Sequence, residues 1–280
     1  EALFRRLTDQ GIDNHRVIET INELHCDLVL TAHPTEITRR TLIQKYNRIA
    51  SALENVNEVA TLDAEARIHL ERLIAEVWYT DEIRTERPKP QDEAIWGYAV
   101  IEHSLWHAIP DLWDRLEFLL FKYTGAKLSL QVAPVKISSW MGGDRDGNPN
   151  VTARVTGEVL RLARWMAADL YLRDIEELLS QLSMATCNEA LRAQCPEGHN
   201  EPYRFILRKL REQLTETRAW AEASEPPHAG LILTTTDLTS PLNVCYDSLH
   251  DCGMGIIADG LLKKILVRTT AFGVTLVELD

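Results

Sequence analysis

The sequence has no apolar run long enough to span a bilayer, and its start shows no secretory signal pattern. Basic residues are also in the minority, because 30 Lys and Arg stand against 42 Asp and Glu, a formal net charge of −12. This acidic balance argues against general binding to nucleic acids or to anionic membranes. We therefore expect a cytoplasmic protein with neither a membrane nor a nucleic acid as its partner.

Cysteine is scarce, and its spacing excludes the common zinc motifs. The five cysteines are Cys26, Cys187, Cys195, Cys245 and Cys252, and no two of them form a C-x-x-C pair. An odd number in a chain of 280 residues favours reduced thiols in a reducing compartment. We expect all five to serve in packing.

Most of the sequence shows the periodicity of α-helices. Hydrophobic residues make up 45% and charged residues 26% of the chain, which is typical of a globular protein with a sizeable core. Apolar residues recur at intervals of three and four, and prolines separate the periodic segments. The predicted helices cover residues 62–83, 92–108, 111–123, 156–184, 203–222 and 242–252.

Three short apolar stretches predict β-strands, at residues 26–30, 133–140 and 272–279. A few strands among long helices suit neither a lone sandwich nor a bundle, so the expected fold class is a predominantly α-helical α/β protein. The chain starts within a helical pattern without Met and closes on the third predicted strand. We therefore expect a piece of a longer protein.

The stretch LVLTAHPTEITRRTL, residues 28–42, joins the first predicted strand, which should be buried, to a helix. Pro34 suits the first helical position, because its missing N–H has no partner there in any case. His33 is therefore expected at the helix start, where backbone N–H groups favour anions. A histidine at such a junction is also often structural, so its near-neutral pKa permits catalysis without requiring it.

The stretch MGGDRDGNPNVTARVT follows the second predicted strand, which closes on Trp140. Gly142 and Gly143 allow the backbone to turn tightly or to approach another group closely. Asp144 and Arg145 begin a charged loop. These charges are explained equally well by ion pairs within the loop or by contact with a substrate. A strand again gives way to a polar loop and then to a helix.

Two arrangements that suggest metal sites fail on inspection. Asp144 and Asp146 have the alternate spacing of a calcium loop, but Pro149 stands where that loop requires Gly, and Val155 where it requires Glu. A histidine pair four residues apart, at positions 103 and 107, has no third ligand in view. The sequence therefore predicts no metal site.

Together the two motifs resemble the N-terminal half of bacterial phosphoenolpyruvate carboxylases. The segments TDEIR, KPQDEAIWGYAVIEHSLW and CGMGIIADG match the same family in the expected order, so the likeness extends from Leu24 onward. The resemblance implies that residues 1–280 are a single N-terminal fragment of a larger subunit. It also implies a helix-rich fold around a TIM-like (β/α)8 barrel, of which this fragment holds only a few strands.

The same resemblance implies a cytosolic, allosteric homotetramer that fixes carbon dioxide and feeds the tricarboxylic acid cycle. This lyase would convert phosphoenolpyruvate and bicarbonate to oxaloacetate and phosphate, through carboxyphosphate and the enolate of pyruvate, with Mg²⁺ or Mn²⁺. The family's metal ligands and second catalytic histidine are expected beyond Asp280. No metal site is therefore assigned here, and the chain alone is expected to be inactive.

Individual residues take their expected roles from the family motifs. His33 matches the catalytic histidine, and Trp140 matches a tryptophan of the pocket that shelters CO₂. The glycine-rich loop matches a signature near the active site, which makes its first residues candidates for the substrate pocket. These are Gly142, Gly143, Asp144 and Arg145.

Arg39 and Arg40 match an arginine pair that helps to bind a sugar-phosphate activator in plant members of the family. The guanidinium group suits phosphate well. The alternative function is therefore a non-catalytic regulatory or assembly module that binds phosphorylated metabolites through these arginines. A third possibility, a metal-dependent phosphate hydrolase using Glu36, Asp144 and Asp146, lacks a compact ligand cluster and ranks last.

Overall fold

The computed structural model describes residues 1–31, 40–58, 64–81, 89–145, 147–223 and 225–280. The helices are α1 (Ala2–Asp9), α2 (Asn14–Asn22), α3 (Arg40–Glu58), α4 (Ala64–Trp78), α5 (Pro90–Val100), α6 (Trp106–Thr124), α7 (Ala153–Gln181), α8 (Glu189–Arg192), α9 (Pro202–Ala223), α10 (Thr235–Asp251), α11 (Gly255–Ala258) and α12 (Leu261–Phe272). The strands are β1 (Cys26–Leu30), β2 (Val135–Ser139) and β3 (Glu278–Leu279). The protein is mostly helical with a small sheet, as the sequence predicts.

The described strands form one parallel sheet in the order β1-β2-β3. Leu30 lies opposite Ser139 across the first pair, and Ser139 lies opposite Leu279 across the second. The carboxyl ends of all three strands therefore meet at one edge of the sheet. The loops that carry the two sequence motifs leave β1 and β2 at this edge.

The third strand is much shorter than the predicted stretch. Phe272 is the last residue of α12, and both Gly273 and Leu276 have positive φ, of 58° and 65°. These left-handed conformations interrupt an extended chain, so only Glu278–Leu279 pairs with β2. Leu276 is fully buried, which shows that the apolar pattern reports burial in a turn as much as in a strand.

β1 contradicts the expectation of a buried strand. Leu28 is 44% exposed and Val29 is 37% exposed. Among the residues that the structure describes, β2 is the one strand paired with β1. β1 is therefore an apolar strand that lies at the edge of the described sheet and is partly exposed.

The sequence predicts two helices on either side of Pro110, but the structure joins them. α5 continues through a π-helical turn, Ile101–Leu105, into α6, and Pro110 lies inside α6. A proline in a helix removes the bond to the carbonyl four residues earlier, here that of Trp106. The Nε of Arg268, in α12, donates to this carbonyl at 2.8 Å, so the helix continues with its backbone satisfied.

α7 runs through the core and begins soon after the glycine-rich loop. Ala163, Ala167 and Ile175 on this helix are fully buried, and the helix packs along α9. Because its first turns sit beside the loop, α7 provides a rigid support for the second motif. Across the described ranges, no helix combines the length and apolarity needed to cross a membrane.

Candidate functional site

The two motifs start side by side at the carboxyl edge of the sheet. His33 follows the last residue of β1 by three positions, and Trp140 directly follows β2. The backbone N–H of Trp140 donates to the carbonyl of Leu30 at 3.0 Å, which continues the strand pairing to the start of both loops. His33 and Arg39 lie outside the described residues, as does the side chain of Arg40 at the start of α3.

The glycines of the second motif allow both a tight turn and close packing. The carbonyl of Trp140 accepts from the N–H of Gly143 at 3.0 Å and from that of Asp144 at 2.9 Å. Gly142 has φ of 76°, and a Cβ on it would lie 2.6 Å from Cγ2 of Val159. Only glycine fits this position without strain or displacement.

The turn is fastened to the first turns of α7. Thr152 caps this helix, since its hydroxyl oxygen accepts from the N–H of Val155 at 3.3 Å. The hydroxyl of Thr156 donates to the carbonyl of Gly142 at 2.6 Å. The loop is therefore held from the core side by α7 as well as by its own hydrogen bonds.

The end of β3 completes the site. The indole Nε1 of Trp140 donates to Oδ2 of Asp280 at 2.8 Å, and a Cβ on Gly143 would lie 2.6 Å from Cδ1 of Leu279. We call Trp140, Gly142, Gly143, Leu279 and Asp280 the strand-end site. Asp280 was missed by sequence analysis. Its one signal was its place directly after an apolar stretch, the position where α/β proteins put functional residues.

The charged residues of the loop lie at its surface. Asp144 and Arg145 are both exposed, and they directly follow the buried Gly142 and the half-buried Gly143. The side chain of Asn148 accepts from the backbone N–H of Asn150 at 3.0 Å, which forms the turn that the sequence predicts around Pro149. The loop thus carries a carboxylate and a guanidinium at its surface, four and five residues after Trp140.

Comparison with known proteins decides the family. The family model for phosphoenolpyruvate carboxylase matches residues 1–280, the whole chain. The chain belongs to the phosphoenolpyruvate carboxylase family. It is 53% identical over 287 residues to the phosphoenolpyruvate carboxylase of Ectopseudomonas mendocina, and 52% identical to those of Hahella chejuensis (287 residues) and Pseudomonas fluorescens (286 residues).

These alignments cover 99–100% of the chain but only 32–33% of each carboxylase. The chain therefore spans about a third of the length of the curated relatives it matches. The resemblance that the two motifs carry is confirmed at the level of the family.

Membership of the carboxylase family raises the question of a divalent cation. Within the described part of the chain, no three His, Cys, Asp or Glu side chains come together in a way that could hold a metal ion. The strand-end site itself offers one carboxylate, Asp280, which is engaged by the indole of Trp140. The residues of the strand-end site do not by themselves fit a cation site.

One carboxylate with a strongly raised pKa, that of Asp174, belongs to the core and not to the motifs. Oδ2 of Asp174 accepts from Nη1 of Arg268 at 2.8 Å and from Nε1 of Trp106 at 3.2 Å. Burial raises the pKa of Asp174 to about 6, although both donors oppose the rise. Since these groups join α6, α7 and α12, we assign them a structural role.

Proposed function

We propose that this chain is the N-terminal part of a phosphoenolpyruvate carboxylase subunit, which forms oxaloacetate and phosphate from phosphoenolpyruvate and bicarbonate. The match of the family model over the whole chain carries the proposal. The geometry supports it, because both motifs start at the carboxyl edge of one parallel sheet. Barrel-type α/β enzymes assemble their active sites at that edge.

His33 is the catalytic residue in this proposal. Transfer of the phosphoryl group from phosphoenolpyruvate to bicarbonate gives carboxyphosphate and the enolate of pyruvate. His33 accepts the proton of carboxyphosphate, which then breaks its C–O bond to give CO₂ and phosphate. The enolate carbon attacks CO₂ and forms oxaloacetate. A histidine suits this role because its ordinary pKa lies near neutral pH.

Trp140 and the glycine-rich loop form the wall of the substrate pocket. The Trp140 indole is 44% exposed, so it presents an aromatic surface at the strand ends. Such a surface can exclude water from the neighbourhood of CO₂, which is itself apolar. Gly142 and Gly143 let the loop close against α7 and β3, while Asp144 and Arg145 supply polar groups at its surface.

The remaining expectations from the family are proposals for the complete protein. Mg²⁺ or Mn²⁺ would bind to ligands beyond Asp280 and would stabilise the negative charge that develops on enolate and phosphoryl oxygens. The parallel order β1-β2-β3 is compatible with one part of a TIM-like barrel. Cytoplasmic location, a homotetramer and inactivity of residues 1–280 alone rest on family analogy.

The test uses the complete translation product of the gene that encodes this chain. We expect oxaloacetate to form only when phosphoenolpyruvate, bicarbonate and Mg²⁺ are all present. Residues 1–280 alone should give no more oxaloacetate than their own His33→Ala variant. Binding of phosphorylated metabolites by the complete product without turnover, abolished by Arg39→Ala and Arg40→Ala, would contradict the carboxylase proposal. That result would favour the regulatory module instead.

A further inference from the structure

We infer that Asp280 is a positioning residue that holds the indole of Trp140 over the reaction site and so keeps CO₂ from escaping before the enolate captures it. The inference rests on the proposed function. It adds a role for a residue that the motifs do not contain. The observation behind it is a contact between the ends of two neighbouring strands.

The contact joins residues 140 positions apart, each the first residue after its strand. Nε1 of Trp140 donates to Oδ2 of Asp280 at 2.8 Å. A hydrogen bond to an ionised carboxylate is roughly twice as strong as one between neutral groups. The backbone N–H of Asp280 also donates to the carbonyl of Ser139 at 3.2 Å, so the sheet fixes the position from which the carboxylate acts.

Burial alone does not hold this indole in place. Trp140 is 44% exposed, whereas Trp106 and Trp113 of the core are 2% and 1% exposed. Packing confines a half-exposed aromatic ring to one rotamer less firmly than it confines a fully buried ring. The hydrogen bond to Asp280 therefore holds the Trp140 ring in one orientation, as close packing does for the core tryptophans.

The preceding residue of β3 fastens the other end of the same turn. The side chain of Leu279 fills the space that a Cβ on Gly143 would need, at 2.6 Å. The N–H of Gly143 in turn donates to the carbonyl of Trp140 at 3.0 Å. Leu279, the last residue of β3, and Asp280, which follows it, thus contact both ends of the 140–143 turn.

The chemical consequence follows from the small size and neutrality of CO₂. After carboxyphosphate breaks down, CO₂ either bonds to the enolate carbon or diffuses away. If it escapes, the enolate takes up a proton and becomes pyruvate, while the phosphate is released as before. Loosening the indole should therefore increase phosphate release relative to oxaloacetate formation, rather than slow both equally.

The experiment measures phosphate and oxaloacetate in the same reaction of the complete translation product. We compare wild type with Asp280→Ala, which removes the acceptor, and with Asp280→Asn, which keeps an acceptor oxygen without the charge. Glu278→Ala serves as the control, since it removes a carboxylate from the same strand end. We expect the ratio of phosphate to oxaloacetate to rise roughly tenfold or more in Asp280→Ala, on the order expected for loss of one charge-assisted hydrogen bond. Asp280→Asn, which keeps a weaker neutral acceptor, should give a ratio between those of wild type and Asp280→Ala, and Glu278→Ala should match wild type.

A second measurement tests the contact itself. The indole ¹H–¹⁵N resonance of Trp140 in the 280-residue chain is identified by its loss in Trp140→Phe. Its N–H should exchange with water faster in Asp280→Ala than in wild type or Asp280→Asn. Equal exchange in all three would overturn the inference.

The outcomes separate the inference from the function on which it rests. A wild-type protein that forms no oxaloacetate overturns the proposed function. If oxaloacetate forms but Asp280→Ala has the wild-type product ratio, the inference alone is overturned. Asp280→Asn that leaks as much as Asp280→Ala also overturns it, because the charge and not the hydrogen bond would then matter.

Discussion

Arg268 supplies the hydrogen bond that Pro110 removes from α6. The proline leaves the carbonyl of Trp106 without its helical partner, and Nε of Arg268 donates to that carbonyl at 2.8 Å. The same guanidinium donates through Nη1 to Asp174 at 2.8 Å. Both charged side chains are buried, with Arg268 4% and Asp174 8% exposed. One side chain of α12 thereby fixes the path of α6 and its packing against α7.

Replacing Arg268 by methionine should destabilise the protein strongly. Arg268→Met leaves the Trp106 carbonyl unpaired and the Asp174 carboxylate without its counter-ion, and breaking a buried ion pair costs about 3–5 kcal/mol. Urea unfolding measures the change in the free energy of unfolding. The control is Arg67→Met, which breaks an exposed pair with Glu71 and should cost less than about 1 kcal/mol. Equal costs in the two variants would contradict the role of Arg268.

Asp174 should give the stability a distinctive pH dependence. Burial raises its folded-state pKa from 3.8 to about 6, so between these values the folded state binds a proton that the unfolded state has released. Stability relative to Asp174→Asn must therefore fall as the pH rises through this window, by up to about 3 kcal/mol, and then level off. The measurement is urea unfolding of both proteins from pH 4 to pH 7. If the difference in the free energy of unfolding between the two proteins stays constant or grows with pH, folding does not raise the pKa of Asp174.

Two glycines of the second motif offer a matched comparison. Gly142 and Gly147 both have φ of 76°, but a Cβ on Gly142 would meet Val159 at 2.6 Å, whereas Gly147 has open space. Gly147→Ala should lower the free energy of unfolding by about 1–2 kcal/mol, because alanine is strained in the left-handed conformation. Gly142→Ala should cost a further 1–3 kcal/mol or so from overpacking, and should lower carboxylation in the complete protein. Thermal unfolding of both variants checks this, and equal losses would mean that the approach to Val159 is not tight.

Thr156 should control the mobility of the glycine-rich loop. Thr156→Val removes the hydrogen bond from its hydroxyl to the carbonyl of Gly142, a loss of about 1 kcal/mol. The backbone N–H groups of Gly143 and Asp144, which close the turn, should then exchange faster with water. Thr215→Val is the control, because its hydroxyl donates to the carbonyl of Arg211 within its own helix. If the loop exchanges no faster in Thr156→Val than in Thr215→Val, α7 does not anchor the loop.

Local patterns predicted the parts of the fold that depend on neighbouring residues. Apolar residues at helical spacing located the main helices, and short apolar stretches located β1 and β2. The same patterns failed where distant residues decide the structure. The continuity of α6 through Pro110 depends on Arg268, whose hydrogen bond to Trp106 spans 162 positions. No local pattern contains that partner.

The site shows the same division. The motif predicts the glycine pair and Trp140 as site residues, and this stays a prediction. The structure explains the glycines by a tight turn and by two close approaches. Asp280 was missed because its importance arises from the alignment of β3 beside β2, which brings it to Trp140. The assignments of His33, Arg39 and Arg40 remain predictions from the motifs, since their side chains lie outside the described residues.

The measurement that tests the central claim most directly is oxaloacetate formation by the complete translation product, wild type against His33→Asn. Asparagine keeps a polar side chain of similar size but cannot exchange a proton near neutral pH. If His33 acts on carboxyphosphate, carboxylation should fall by roughly 10²–10⁴-fold while folding and assembly stay unchanged. An unchanged rate would contradict the account and leave His33 a structural residue at the end of β1.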